Sequence, residues 1–255
     1  LAAQATRESA IYGEAYAAML DGKWREALAA AGQAGETARD IIEWHRLRAG
    51  NGDLDAAQRF LERRANWPGL PYLRKRSERH LPFGVRADDV IAFFAETPPQ
   101  TGHGAVARVG AFRVKGMADE AKSAAIDAWL SHVFSAGDEA LLLSMYADTL
   151  KPHHEARLDM LLWRNAKADS ERMLPRVSAG WKKLAAARQA LRDNRSGVDT
   201  LVEAVPKALK DHPGLMFERM QWRARKGRNE GAVEIFLGQS ADALGEPARW
   251  AGWRR

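Results

Sequence analysis

The stretches D-G-K-W-R-E-A (21–27), N-G-D-L-D-A-A (51–57), K-G-M-A-D-E-A (115–121) and K-G-R-N-E-G-A (226–232) share one layout. A glycine is followed five positions later by alanine, with acidic residues between: Gly22 and Ala27, Gly52 and Ala57, Gly116 and Ala121, Gly227 and Ala232. Successive glycines are 52 − 22 = 30, 116 − 52 = 64 and 227 − 116 = 111 residues apart. The longer gaps are close to two and three units of about thirty to forty residues, the length of a helical-hairpin repeat. One hairpin cannot bury its apolar face alone, so it stacks on neighbours and the chain becomes a curved array. The layout predicts an all-α fold, a right-handed superhelical array of tetratricopeptide-like hairpins. It is read as one domain over residues 1–255, with a binding or framing role ahead of a compact enzyme.

Working outward, the apolar residues recur at helical spacing. Leu54, Ala57 and Leu61 do so, as do Ile126, Trp129, Leu130 and Val133, then Leu141, Leu142, Met145, Tyr146 and Leu150, and then Leu158, Leu161, Leu162 and Ala166. No period-two alternation competes with them. Asp21-Gly22, Asn51-Gly52, Lys115-Gly116, Ala136-Gly137 and Lys226-Gly227 suit left-handed helix C-caps. Pro152 and Pro175 suit first helical positions. Residues 67–72 and 97–104 read as longer connections, neither with the composition of a domain linker.

The chain has 255 residues and a net charge of 39 − 33 = +6, which favours an anionic partner such as nucleic acid, a membrane surface or an acidic polymer. No window approaches the apolar run of about twenty residues that a membrane span needs. The absence of cysteine excludes thiol catalysis, thiolate metal sites and disulfides together. The chain starts at Leu1-Ala2-Ala3, as a protein that has lost a signal peptide, or one otherwise cut short at its start, would. Trp250, Trp253, Arg254 and Arg255 read as the opening of a further helix rather than a polar end cap, so the natural chain is expected to continue.

Several segments resemble the N-terminal superhelical region of soluble lytic transglycosylases of the alphaproteobacterial type. They are A-R-D-I-I-E-W-H-R-L-R-A-G (38–50), R-F-L-E-R-R-A-N-W-P-G-L-P-Y-L-R (59–74), P-P-Q-T-G-H-G-A-V-A-R (98–108), D-E-A-L-L-L-S-M-Y-A-D-T-L (138–150), L-D-M-L-L-W-R-N-A-K-A-D-S-E-R-M-L-P-R-V (158–177) and H-P-G-L-M-F-E-R (212–219). The order is kept along nearly the whole chain. W-P-G-L-P and P-Q-T-G are not general helical-repeat consensus.

The resemblance implies a periplasmic parent enzyme that cleaves the MurNAc–GlcNAc bond of peptidoglycan to 1,6-anhydro products. One glutamate would act as general acid and then base, with no metal or organic cofactor. The superhelix would form a ring or arc beside a lysozyme-like catalytic domain further along the chain. Its implied partners are glycan strands and that domain, not nucleic acid. The family's Glu-Ser and Gly-Leu-Met-Gln motifs have only scattered echoes here: Glu8-Ser9, read as a helix start, and Gly214-Leu215-Met216, which Phe217 follows in place of glutamine. This chain therefore reads as the arm without the chemistry, and it has no catalytic residue of its own.

Other chemistry-bearing residues have plainer readings. Asp88-Asp89, Asp119-Glu120 and Asp138-Glu139 fit helix starts, where acids complement the helix dipole. Adjacent His153 and His154 diverge by about 100° on a helix, too far to share a metal ion. Gly102-His103-Gly104 lacks the rest of a phosphate loop. Most tryptophans fall on apolar helical faces. Trp67 and Tyr72 flank a connection, with Arg74 and Arg76 close by, and these residues are the candidate glycan contacts. Two other functions remain open: a stand-alone tetratricopeptide-like scaffold for a partner protein, and a helical-repeat nucleic-acid binder. Dispersed basic residues speak against the latter.

Overall fold

The computed structural model describes residues 2–252. Among them there is no strand, and the fold is all-helical. No helix is long and apolar enough to cross a membrane. The first helices are α1 (Ala2–Leu20), α2 (Trp24–Gln33), α3 (Glu36–Arg48), α4 (Leu54–Arg63), α5 (Leu70–Ser77), α6 (Ala87–Phe93), α7 (Gly102–Val114) and α8 (Ala118–Ser131). Then come α9 (Ala136–Leu150), α10 (His154–Trp163), α11 (Lys167–Met173), α12 (Ala179–Arg192), α13 (Val198–Glu203), α14 (Pro213–Arg225), α15 (Asn229–Leu237) and α16 (Pro247–Ala251). α9 bends at Tyr146, whose φ of −135° and ψ of 26° leave the helical region. Two compact units follow from the contacts, residues 1–124 and 125–255.

One turn recurs. After α1, the Gly22 N–H donates to the Met19 carbonyl and the Lys23 N–H to that of Ala18. This pair of bonds is the Schellman motif, which needs a left-handed residue to close it. The same pair ends α3 at Gly50, α7 at Gly116, α10 at Asn165, α12 at Asn194 and α14 at Gly227. All of these residues have φ between 56° and 78°. Gly22, Gly116 and Gly227 thus cap helices as their spacing predicts. Gly52 does not: Gly50 takes the left-handed position. Gly52 is needed for another reason, because a Cβ there would overlap Leu47 Cδ2. Gly137 caps nothing either. It lies in the first turn of α9, where Ser135 Oγ accepts the Asp138 N–H at 3.1 Å as an N-cap.

The long connections are also shorter than expected. Leu70–Tyr72 already belong to α5. Gly102 opens α7 behind Thr101, whose Oγ1 accepts the Gly104 N–H. Pro152 and Pro175 sit in the first turns of short 3-10 segments, as proline's fixed φ allows. The three acidic pairs fall in the first turns of α6, α8 and α9. Trp253, Arg254 and Arg255 lie outside the described residues.

In unit 1, helices pack on their sequence neighbours, and α3 also reaches past α4 to α5. Fully buried Ala15, Ala27 and Ala31 let helices approach closely around Ile42. A second cluster gathers Leu47, Phe60, Leu73, Val90 and Phe93. Two buried carboxylates fix the joints. Asp40 accepts Arg63 Nη2 at 2.6 Å and Arg64 Nε at 2.5 Å. Burial pushes its carboxyl up, but the two arginines outweigh that and hold it below its ordinary value. Glu78 accepts the Gln100 and Thr101 N–H groups, each at 2.8 Å, and the Thr101 hydroxyl. Here burial wins and the carboxyl is raised.

Unit 2 buries cations as well as acids. Arg157 is fully buried, with its guanidinium over Trp129 at 4.1 Å and Phe134 at 4.6 Å. It donates to the carbonyls of Trp129 and His132 at the end of α8, at 2.7 and 3.0 Å. Glu139 lies 3.5 Å away, and Arg172 links Glu139 to Asp169. Burial pushes the Arg157 guanidinium down to about 10 against the pull of Glu139 and Asp169, so it stays charged at neutral pH. Arg188 repeats the device: it pairs with Asp159 at 2.5 Å over the Trp163 face, 5.1 Å away. Gly214 makes this possible, because a Cβ there would overlap the guanidinium. Trp129, Trp163, Trp222 and Trp250 are all buried in this unit.

Candidate functional site

The W-P-G-L-P segment is a pinned backbone turn. Gly69 is left-handed with φ 71° and hands the chain into α5, where Pro71 occupies the first turn. Trp44 Nε1 on α3 donates to the Pro68 carbonyl at 2.8 Å, which ties the turn to α3. Trp67 is half-buried, with its ring edge-on to Phe60 at 6.0 Å and the Arg64 guanidinium over it at 5.5 Å.

This anchoring leaves a row of rings across α1, α3 and α5. Tyr12 and Tyr16 have centroids 6.3 Å apart, and Tyr16 meets His45 at 6.4 Å and 81°. His45 meets Trp44 at 4.8 Å and 76°. The Arg48 guanidinium then lies 4.2 Å from the Trp44 centroid and 5.2 Å from that of Tyr72. Tyr16 is 41% and Tyr72 48% exposed, so the row faces water on both sides of Trp44 and His45. Among the described residues Arg48 has no carboxylate partner; its charge is held only by the two rings. Burial, and then Arg48, lower the His45 pKa below its ordinary value, so the ring is neutral at pH 7. An exposed ring beside an uncommitted guanidinium can take a sugar ring by its C–H face and a hydroxyl or carboxylate by hydrogen bonds.

Of the residues singled out by sequence, Tyr72 joins this row and Trp67 packs inward beside it. Arg74 and Arg76 turn away. Arg74 Nη1 donates to the Phe93 carbonyl at 3.1 Å, and Arg76 Nη2 donates to that of Ala49, also at 3.1 Å, steadying the Gly50 turn. Sequence reasoning missed Tyr16, Trp44, His45 and Arg48. Only the W-H-R-L-R run on α3 gave a local hint of them.

The echoes of a catalytic motif have structural reasons. Glu8 lies inside α1 and not in its first turn; it is exposed and accepts from Gln4 Nε2 at 3.0 Å. Gly214, Leu215 and Met216 begin α14, with the glycine making room for Arg188. His154 packs its ring 5.6 Å from Trp129. The chain matches no protein-family model, no curated protein and no solved structure.

Proposed function

We propose that this chain is the non-catalytic superhelical arm of a periplasmic peptidoglycan lytic transglycosylase. In this reading the bond-cleaving glutamate lies in a separate domain, and the arm frames that domain and guides glycan strands to it. The observation that carries the reading is the ordered resemblance along the chain. Its two most distinctive segments serve as fixed joints here, W-P-G-L-P through Trp44 and Gly69, and P-Q-T-G through Glu78. Repeated Schellman-capped hairpins supply the units such an array requires. The ring row from Tyr12 to Tyr72 supplies an outward face suited to sugar.

The test is co-sedimentation with purified peptidoglycan sacculi, beside titration with a soluble N-acetylglucosamine oligomer. The chain is expected to bind both. Tyr16→Ala with Tyr72→Ala should weaken oligomer binding about tenfold, since each stacked ring contributes roughly 0.5–1.5 kcal/mol. A chain that ignores sacculi and oligomer but captures one specific protein would sink the arm reading in favour of a scaffold.

A further inference from the structure

A groove of about 430 Å³ in unit 1 lies between α3 and α4, lined by Arg39, Asp40, Glu43, Arg46, Arg59 and Arg63 among others. Its carboxylates are already engaged. Asp40 is held by Arg63 and Arg64. Glu43 accepts Arg46 through Nε and Nη2, both at 2.8 Å, in a bidentate pair. Glu36 at the rim is bound by Arg64 at 3.0 Å. Two guanidinium groups remain. Among the described residues, neither Arg39 nor Arg59 has a side-chain hydrogen bond or an ion pair. Arg59 is near enough to Asp55 to lower its pKa, but Asp55 is bound by Arg86. The groove thus carries two guanidinium forks with no hydrogen-bond partner among the described residues, beside acids whose partners are fixed.

We propose that this groove binds an acidic peptide, with Arg39 and Arg59 each taking a carboxylate. A planar guanidinium with a free fork matches a carboxylate in two parallel hydrogen bonds. Leu28 and Ala56 add apolar wall for a peptide's aliphatic parts. The bound acids Glu36, Asp40 and Glu43 disfavour a ligand of dense continuous charge, such as a nucleic-acid backbone, because only two cations are unspent. The choice of a peptide rests on the proposed function, in which the carboxylate-bearing peptide stems of the wall are at hand. α3 supplies residues both to this groove and to the ring row.

The experiment is calorimetric titration of the whole chain with a sugar-free tetraglutamate peptide, with tetraglutamine as the uncharged control. Wild type is expected to bind the acidic peptide and not the control. Arg39→Gln and Arg59→Gln are exposed changes that leave the core intact, checked by circular dichroism. Each should weaken binding about tenfold, the effect of losing one charged hydrogen-bonded contact. Equal affinity in wild type and the double variant would overturn the site. So would stronger capture of a short RNA oligomer that displaces the peptide and is weakened by the same substitutions. The two proposals fail separately. Sacculus binding that is lost with Tyr16→Ala and Tyr72→Ala but indifferent to the arginine changes rejects the groove alone. Peptide binding without sacculus binding keeps the groove and rejects the arm.

Discussion

The two units fix their joints differently: unit 1 buries acids alone among its described charged groups, whereas unit 2 buries arginines together with the acids Glu139, Asp169 and Glu218. Unit 1 buries carboxylates, Asp40 and Glu78, and brings donors to them from elsewhere in the unit. Unit 2 centres its joints on buried arginines, Arg157 and Arg188, laid on the faces of Trp129 and Trp163. A buried carboxylate can be satisfied by backbone N–H groups or by arginines whose far ends stay in water. A buried guanidinium is larger and has five donors, so it needs a ring face, helix-end carbonyls and an acid together. That demand explains why Trp129 is fully buried and why Gly214 has no room for a Cβ beside Arg188. It also makes unit 2's joints the costlier ones to break.

Removing one centre from each unit is the strongest way to break this comparison. Arg157→Ala should cost about 3–5 kcal/mol, because it strips a buried pair of one partner and leaves a void against Trp129. Asp40→Asn should cost about 2 kcal/mol, since Arg63 and Arg64 can turn back to solvent. Urea denaturation reads both; equal losses would mean that the charge at the centre does not matter.

Acid sharpens the comparison next. His154 and His212 in unit 2 have pKa values below the ordinary 6.5: burial, then Arg176 and Arg157, lower His154, and at His212 burial, helped by Arg188, outweighs the upward pull of Asp159. Unit 1 has one such histidine, His45. A depressed histidine binds more protons when unfolded, so its stabilisation is full above 6.5 and is lost as pH falls. Unit 1's carboxylates act lower and in opposition. Asp40, depressed, loses stabilisation as pH falls below 3.8 towards its folded pKa, whereas Glu78, raised, favours the fold below 4.5 and loses that benefit as pH rises through its folded value. Hydrogen exchange, corrected for intrinsic rates, should therefore show unit 2 loosening more than unit 1 between pH 7 and pH 5. Greater loosening of unit 1 would refute the assignment.

The smallest effect comes from the caps. Asn165→Gly and Asn194→Gly in unit 2 should each raise stability by about 0.5 kcal/mol, by relieving a left-handed non-glycine residue. Gly116→Ala in unit 1 should lower it by about 1 kcal/mol through backbone conformation alone, because the site has open space around it. Thermal unfolding midpoints check the pair.

These caps also show what was legible in the sequence. Gly22, Gly116 and Gly227 announce themselves because glycine is the residue that enters the left-handed region without cost. Asn165 and Asn194 do the same work unseen, since asparagine is equally at home in N-caps and ordinary turns. Gly52 was found for the wrong reason: its two-residue offset from Gly50 reflects the packing of Leu47 and not a φ angle. At Gly137 the Ser135 N-cap overrides the glycine. The ring row was mostly hidden because its members come from α1, α3 and α5, and no local period links them. Arg74 and Arg76 look like surface charge in sequence, yet the carbonyls they reach at Phe93 and Ala49 are set by tertiary packing, which hydropathy does not encode.

The Schellman turn has one more consequence. Each turn closes its two backbone bonds between a helix and the two residues just after it, so that pair of bonds needs no later helix, although side chains from later helices brace some of the turns. A hairpin cut out from cap to cap therefore carries its own punctuation with it. Duplication or loss of a hairpin at these points leaves the backbone bonds of every remaining turn intact and changes the faces and the bracing side chains that meet. A chain built on such turns can lengthen or shorten by whole hairpins while the two closing bonds of each remaining corner stay in place.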